Sequence, residues 1–144
     1  MKLSNGFTLI EVLVAVVIMA VGLLGLAGLQ ISGLRNNLSA EHKSKAAQLV
    51  YDMSDRIRAN VSPTSLVIYS AGVSEANIGC DASTLCTSAQ LAQDDLFNWV
   101  TDIGNDLPNG TPIISSVGGA FTVGVSWYDN ADTSNSRFQV NFQP

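Results

Sequence analysis

One carboxylate, Glu11, lies at the start of a long apolar run, and its position needs a chemical explanation. The run from Val12 to Leu29 carries no charged side chain. Its length is that of a membrane-spanning helix, which needs roughly 17–25 mostly apolar residues. An ionisable side chain in such a segment costs about 2.5–3.5 kcal/mol at the bilayer centre and less near an end. Glu11 therefore marks a candidate functional site.

The two cysteines are the second group of residues with a chemical meaning. They stand in the segment Cys80-Asp-Ala-Ser-Thr-Leu-Cys86, and a C-x5-C spacing is not that of a metal site. The single histidine, His42, lies far away in the helical part of the chain. We predict a short-loop disulfide, which indicates an oxidising compartment beyond the inner membrane. Two reduced, unrelated thiols are the alternative.

The sequence carries no pattern of an enzyme active site. G-x-S-x-G, P-loop, H-E-x-x-H and dinucleotide-binding motifs are missing, and one histidine excludes most catalytic triads and metal clusters. Asp94 and Asp95 are adjacent, so on a helix their side chains diverge and do not form a catalytic pair. We expect no catalytic residues and no cofactor. Trp99 and Trp127 are expected in the core rather than on a ligand platform.

A polar loop near the C-terminus is the candidate cation site. Its oxygen-bearing residues are Asp129, Asn130, Asp132 and Asn135. The loop lacks the glycine and the terminal glutamate of an EF-hand, so a solvated hairpin loop is the simpler interpretation and no metal is predicted. A site in this loop, or in the Cys80–Cys86 loop, would instead make the protein a membrane-anchored periplasmic ligand- or calcium-binding module.

Charge is distributed unevenly along the chain. Residues 1–60 hold six basic and four acidic side chains, whereas residues 61–144 hold one arginine and eight acidic side chains. An acidic distal domain repels phosphate backbones, which argues against direct binding to nucleic acid.

The apolar run continues into an amphipathic segment, so one helix is predicted from about Phe7 to Asn60. Residues 34–57 carry an apolar stripe with a 3.6-residue period. The stripe consists of Leu34, Leu38, His42, Ala46, Leu49, Met53 and Ile57. Pro63 follows as a plausible stop. Because a small core cannot cover a helix of this length, its first half is expected in lipid or against other chains.

Glycines interrupt the apolar run at regular intervals, at Gly22, Gly25 and Gly28. One interpretation is close backbone approach to neighbouring helices, although the spacing is not that of the G-x-x-x-G dimer motif. The other is that glycine is simply commoner in membrane helices.

The chain beyond Pro63 is predicted to form a small α+β head. Residues 65–69 fit a short strand or a turn of helix, and residues 70–88 a loop. Residues 88–103 fit a helix, with Ser88 as its N-cap and Gly104 as its stop. A turn at 107–110 then leads into strands at 111–116, 121–128 and 137–142. The apolar face of this antiparallel sheet needs a cover, which the helical stripe of residues 34–57 supplies.

The segment Gly6-Phe7-Thr8-Leu9-Ile10-Glu11, behind a short leader containing Lys2, closely resembles the processing site of type IV prepilins and type II secretion pseudopilins. The resemblance covers residues 1–30 strongly and the plan of a single helix to residue 60. It implies the type IV pilin fold, a leader peptide of residues 1–6, cleavage by prepilin peptidase between Gly6 and Phe7, and N-methylation of Phe7. A conventional signal peptide cut near Ala27 is the alternative, but its apolar core would be too long.

The resemblance also implies that Glu11, together with Thr8, acts in subunit assembly. After cleavage, the new amine of Phe7 is a partner for a carboxylate. Glu11 would neutralise either the amine of its own chain and the positive end of the helix dipole, or the amine of a neighbouring subunit. The resemblance favours the pairing between chains.

The implied organisation is a membrane and assembly segment at 7–30, an amphipathic helical segment at 31–60 and a periplasmic head at 61–144. The protein would cross the inner membrane once, with a cytoplasmic N-terminus, and enter the pilus after assembly. The basic residues around the span do not by themselves favour this orientation. The predicted disulfide and the resemblance do.

Two departures from major pilins concern the subunit's role. Major pilins usually carry a proline in the apolar helix and a C-terminal disulfide-bonded loop, whereas this chain has no proline before Pro63 and both cysteines precede the strands. These features suit a minor pilin that helps to prime or cap the pilus. Its partners would be other minor pilins, the major pilin and a tip adhesin. A minor pseudopilin of type II secretion is the alternative.

Overall fold

The chain folds as a long helix followed by two shorter helices and a small antiparallel sheet, an α+β arrangement like that of pilins. The computed structural model describes residues 6–72, 77–80, 84–129 and 135–144. The elements in chain order are α1 (Leu9–Ala59), α2 (Pro63–Ala71), α3 (Ser88–Asp106), β1 (Thr111–Val117), β2 (Ala120–Tyr128) and β3 (Asn135–Phe142). Two compact units, Met1–Asn37 and Leu38–Pro144, divide the chain.

The helix α1 has two kinds of surface along its length. Every side chain of residues 9–37 is exposed in the single chain, and within the described residues α1 is the one helix long and apolar enough to cross a membrane. Further along, Ala46, Val50, Met53 and Ile57 are fully buried. The predicted stripe was too long, because Leu34 and Leu38 remain 63% and 46% exposed.

The helix α2 begins where α1 was predicted to stop. Ser62 has an extended backbone and its hydroxyl accepts a hydrogen bond from Ser65 N, while the Ser65 side chain accepts from Ser62 N. Pro63 then occupies the first turn, where its missing N–H is no loss. Gly72 closes the helix in the left-handed region, at φ 75°. The helical alternative for residues 65–69 is therefore correct.

The helix α3 was predicted correctly as an element, but both of its ends were misplaced. Thr87, not Ser88, is the N-cap: its side chain accepts from Gln90 N in a reciprocal capping box. Gly104 does not stop the helix, which continues to Asp106. The predicted turn does follow, and it requires glycine at residue 110, because a Cβ there would lie 2.7 Å from both Cγ2 and the carbonyl oxygen of Ile103.

The sheet is a meander in the order β1-β2-β3, with all three predicted strands confirmed. Gly118 and Gly119 join β1 to β2 with φ of 60° and 85°, as a two-residue hairpin turn demands. On β2, one face is buried, formed by Phe121, Val123, Val125 and Trp127. Their neighbours on β3 include Phe142, Val140 and Phe138, which are partly buried.

The core of the second unit lies between this sheet face, α1 and α3. Trp99 is 2% exposed, and its Nε1–H donates to the carbonyl oxygen of Leu49 on α1 at 2.8 Å. Trp127 is equally buried. Both tryptophans are thus core residues, as predicted.

Candidate processing and assembly site

The residues before α1 are held by Thr8, which caps the helix. The Thr8 carbonyl oxygen accepts from Glu11 N at 3.1 Å, and Thr8 Oγ1 lies 3.4 Å from the same nitrogen. A threonine at the N-cap with a glutamate three residues later is the sequence of a capping box. This local role for Thr8 was missed in the sequence, although the spacing Thr8-x-x-Glu11 carries the signal.

Gly6 and Phe7 lie in open space on the N-terminal side of this cap. A Cβ added to Gly6 would meet no atom within 4 Å, and Phe7 is 85% exposed. Both residues are therefore largely free of contacts with the described part of the chain, and cleavage between them stays a prediction.

Glu11 stands in the first turn of α1 with an exposed side chain. Within the described residues, its carboxylate has no basic side chain in ion-pair distance. The helix dipole favours a negative charge at this end, but it does not supply a full counter-charge. Any side-chain counter-charge for Glu11 therefore lies outside the described residues, and its pairing with an amine stays a prediction.

The three glycines of the apolar run have no packing role within the single chain. A Cβ at Gly22, Gly25 or Gly28 would meet nothing within 4 Å. Each glycine weakens a water-exposed helix by about 1 kcal/mol relative to alanine. Close packing of a neighbouring helix against these glycines stays a prediction.

The predicted disulfide is present, between Cys80 and Cys86. The backbone beside it is attached to α3 by Asp94, whose Oδ1 accepts from Ile78 N at 3.1 Å and from Gly79 N at 2.8 Å. Asn98 donates to the other oxygen of the same carboxylate at 3.0 Å. Asp94 is therefore a structural residue that fixes the chain leading into the disulfide.

Asp95 points away from this loop and joins three helices, so the two adjacent aspartates diverge as predicted. Its carboxylate accepts from Arg56 Nη1 on α1 at 2.8 Å and from the hydroxyl of Tyr69 on α2 at 2.6 Å. Arg56 also pairs with Asp52 at 2.8 Å. Burial lowers the pKa of Arg56, but its hydrogen bonds to the two aspartates outweigh that effect and raise it overall.

The Tyr69 hydroxyl makes the stability contributed by this cluster depend on pH. Burial, followed by the hydrogen bond to Asp95, raises its pKa well above the usual value of 10.0. A raised pKa means that folding favours the protonated hydroxyl, so its stabilisation is complete below about pH 10 and is lost as the pH rises through the folded-state pKa. We expect Tyr69→Phe to lower the free energy of unfolding by about 1.5–3 kcal/mol at neutral pH. We also expect the variant to lose less stability than wild type when the pH is raised into the alkaline range.

Urea unfolding of the full chain in detergent micelles, followed by tryptophan fluorescence at neutral and alkaline pH, measures both effects. Tyr51→Phe is the matched control, because Tyr51 is 54% exposed. Equal stability of Tyr69→Phe and wild type at neutral pH, with equal sensitivity to alkali, would contradict the assignment.

The candidate cation loop, for which no metal was predicted, is described only in part. Asp129 is 4% exposed, and its Oδ2 accepts from Ser39 Oγ at 2.5 Å. Asn130 and Asp132 lie outside the described residues. Among the residues that are described, no three histidine, cysteine, aspartate or glutamate side chains come together in a way that could hold a metal ion.

Comparison with known proteins identifies the N-terminal segment. Residues 1–27 match the family model of the prokaryotic N-terminal methylation motif. Neither a curated protein nor a solved structure matches the chain. The motif, together with the long apolar helix and the α+β head, supports a type IV pilin-like protein, either a pilin or a pseudopilin. Proteins of this kind are structural subunits, and the motif implies processing by prepilin peptidase, anchoring in the membrane and assembly with other pilins.

Proposed function

We propose that this protein is a minor pilin of the type IV pilus, most like PilV, the type IV pilus modification protein. The observation that carries the proposal is the methylation motif at the head of an exposed apolar helix, on a chain whose remaining part forms a disulfide-containing head. Residues 1–6 are the leader. Prepilin peptidase removes it between Gly6 and Phe7 and methylates the new amine.

The proposed topology is a single span of the inner membrane. The N-terminus lies in the cytoplasm, residues 7–30 cross the membrane and later pack in the pilus, and the head lies in the periplasm. The disulfide supports an oxidising location for the head. After cleavage, subunits leave the lipid and pack through their apolar helices.

Assembly would rest on pairing between chains. The carboxylate of Glu11 would meet the amine of a neighbouring subunit, because each charged group otherwise lacks water in the apolar bundle. Gly22, Gly25 and Gly28 would let neighbouring helix backbones approach closely. The acidic head would present its surface to other minor pilins, to the major pilin or to a tip adhesin.

The resemblance to PilV rests on segments beyond the long helix. These are the short cysteine pair, Asp95-Leu-Phe-Asn-Trp99, Leu107-Pro-Asn-Gly110 and Phe121-Thr-Val-Gly-Val-Ser-Trp127. Within the fold these segments supply the Asp95 cluster, two core tryptophans and the tight turn at Gly110. The absence of proline from the apolar run favours a minor over a major subunit.

A minor pseudopilin of type II secretion is the second candidate, because it would carry the same N-terminus. A strain lacking this protein separates the two. Loss of surface pili with normal secretion supports the pilus role. Loss of secretion with normal pili would overturn it in favour of the secretion system.

Processing itself is tested by the mass of the membrane form. We expect intact-protein mass spectrometry to show loss of residues 1–6 and addition of one methyl group at Phe7. Substitution of Gly6 by leucine should leave the chain uncleaved, because it places a bulky side chain at the site where none is present. An intact Met1 in the wild-type chain, or a start near Gly28, would contradict the proposal.

A further inference from the structure

The segment that leads into Cys80 is attached to α3 by one buried carboxylate. Asp94 is 5% exposed, and its Oδ1 accepts from two successive backbone N–H groups, those of Ile78 at 3.1 Å and Gly79 at 2.8 Å. Successive N–H groups that converge on one anion form a backbone nest. Gly79 has the left-handed backbone, at φ 67°, that glycine adopts without strain. The two residues before Cys80 are therefore bound to α3 by contacts other than the disulfide.

The second oxygen of this carboxylate is held by α3 itself. Asn98 lies one turn further along the helix, and its Nδ2 donates to Asp94 Oδ2 at 3.0 Å. Hydrogen bonds to an ionised carboxylate are shorter and stronger than those between neutral groups. The side chain of Asp94 is therefore fixed in orientation, and with it the position of the nest relative to α3.

The chain on the other side of the disulfide is attached to the same helix. Cys86 is followed directly by Thr87, the N-cap of α3. Thr87 Oγ1 accepts from Gln90 N at 3.3 Å, and Thr87 N donates to Gln90 Oε1 at 2.9 Å. Each cysteine thus adjoins a segment that has its own hydrogen bonds to α3. Two reacting groups held in this way have a raised effective concentration.

We infer that Asp94 is a positioning residue for the Cys80–Cys86 pair, whose thiols it holds together in the folded head so that their disulfide resists reduction. In the reaction with oxidised glutathione, the two thiols lose two protons and two electrons as the S–S bond forms. The glutathione disulfide takes them up and leaves as two thiols. Linkage makes the effect reciprocal, so reduction of the disulfide weakens the nest. The inference does not depend on the proposed function.

The redox equilibrium with glutathione tests this role. The full chain in detergent micelles is equilibrated with reduced and oxidised glutathione, its free thiols are alkylated, and the intact mass gives the disulfide fraction, since the chain has two cysteines. We expect Asp94→Ala to lower the equilibrium constant for disulfide formation at least about tenfold, which corresponds to about 30 mV, because two backbone N–H groups lose their acceptor. In concentrated urea, where the nest is lost, the variant and wild type should be equal.

Asp95→Ala is the matched control, because Asp95 is the next residue on α3 and is 6% exposed. Its carboxylate bonds Arg56 and Tyr69 instead. This variant should destabilise the head but shift the redox equilibrium less than about twofold. The inference is overturned if Asp94→Ala matches wild type in native buffer, if Asp95→Ala shifts the equilibrium as far, or if the difference persists in urea.

Two milder variants and one measurement on wild type keep the test decisive if Asp94→Ala does not fold. Asp94→Asn retains one acceptor oxygen, and Asn98→Ala retains the carboxylate without its third donor. Each should shift the equilibrium in the same direction, by at least about twofold. In wild type, reduction should speed hydrogen–deuterium exchange at the amides of Ile78 and Gly79. Redox equilibria of both variants equal to that of wild type, or unchanged exchange at both amides, would contradict the inference.

Discussion

Replacing Glu11 by alanine is expected to leave the chain cleaved after Gly6 and inserted in the membrane, while removing it from assembled pili. A Cβ on Gly6 would meet no atom within 4 Å and Glu11 lies five residues further on, so we expect cleavage without the carboxylate. Assembly should differ, because under the proposed pairing the amine of Phe7 would enter an apolar bundle without its partner.

The size of the effect follows from the cost of an unpaired charge. An ionised group in a membrane helix costs about 2.5–3.5 kcal/mol at the centre of the bilayer. Since about 1.4 kcal/mol corresponds to a tenfold change in an equilibrium constant, we expect incorporation to fall by roughly two orders of magnitude. Immunoblots of sheared pili, compared with the membrane fraction of the same cells, measure this ratio.

Two controls separate the carboxylate from other effects at this end of the helix. Glu41→Ala removes an acid that pairs with Lys45 at 3.7 Å on the exposed amphipathic segment, where an ion pair is worth less than about 1 kcal/mol. Its incorporation should be normal. Thr8→Ala removes the cap at a cost of about 1 kcal/mol and should impair incorporation less than Glu11→Ala. Normal incorporation of Glu11→Ala would mean that the carboxylate is not an assembly contact.

The elements of the fold were predictable where the signal is local. The alternation of Phe121, Val123 and Val125 identified β2, because one buried face of a strand needs no information from elsewhere in the chain. The C-x5-C spacing predicted the disulfide, and this signal is also local because the two cysteines are only six positions apart. The helix ends were harder. Thr87 and Ser88 are both good caps, and the choice depends on which hydroxyl meets the N–H three residues later.

Contacts between distant residues left no signal in the sequence. Asp95 meets Arg56 and Tyr69, which lie 39 and 26 positions away, and no spacing rule joins three different helices. The predicted length of the buried stripe on α1 was wrong for a related reason. A helical period shows which face is apolar, but how far along α1 that face is buried depends on the extent of the sheet and of α3. Leu38 fits the stripe and is still 46% exposed.

Trp99→Ala is expected to be the most destabilising single substitution in the head. Trp99 is 2% exposed and belongs to the buried core, and its indole N–H donates a hydrogen bond to the Leu49 carbonyl oxygen at 2.8 Å. Truncation of a buried tryptophan costs about 3–5 kcal/mol, since it removes apolar contacts and leaves a cavity. A small domain has a total stability of about 5–15 kcal/mol, so the variant should unfold at a far lower urea concentration than wild type.

Trp99→Phe separates the loss of the hydrogen bond from the loss of core volume, and Leu91→Ala is the control on the same helix. Trp99→Phe keeps most of the ring volume but removes the hydrogen bond. We therefore expect it to lower the free energy of unfolding less than Trp99→Ala does, because it leaves a smaller cavity. Leu91 lies on the same helix but is 38% exposed, and its truncation should cost less than about 1 kcal/mol. Urea unfolding of the three full-length variants in micelles, followed by circular dichroism, ranks them. If Trp99→Ala proved as stable as Leu91→Ala, the contact of the indole with α1 would not contribute measurably to the stability of the head.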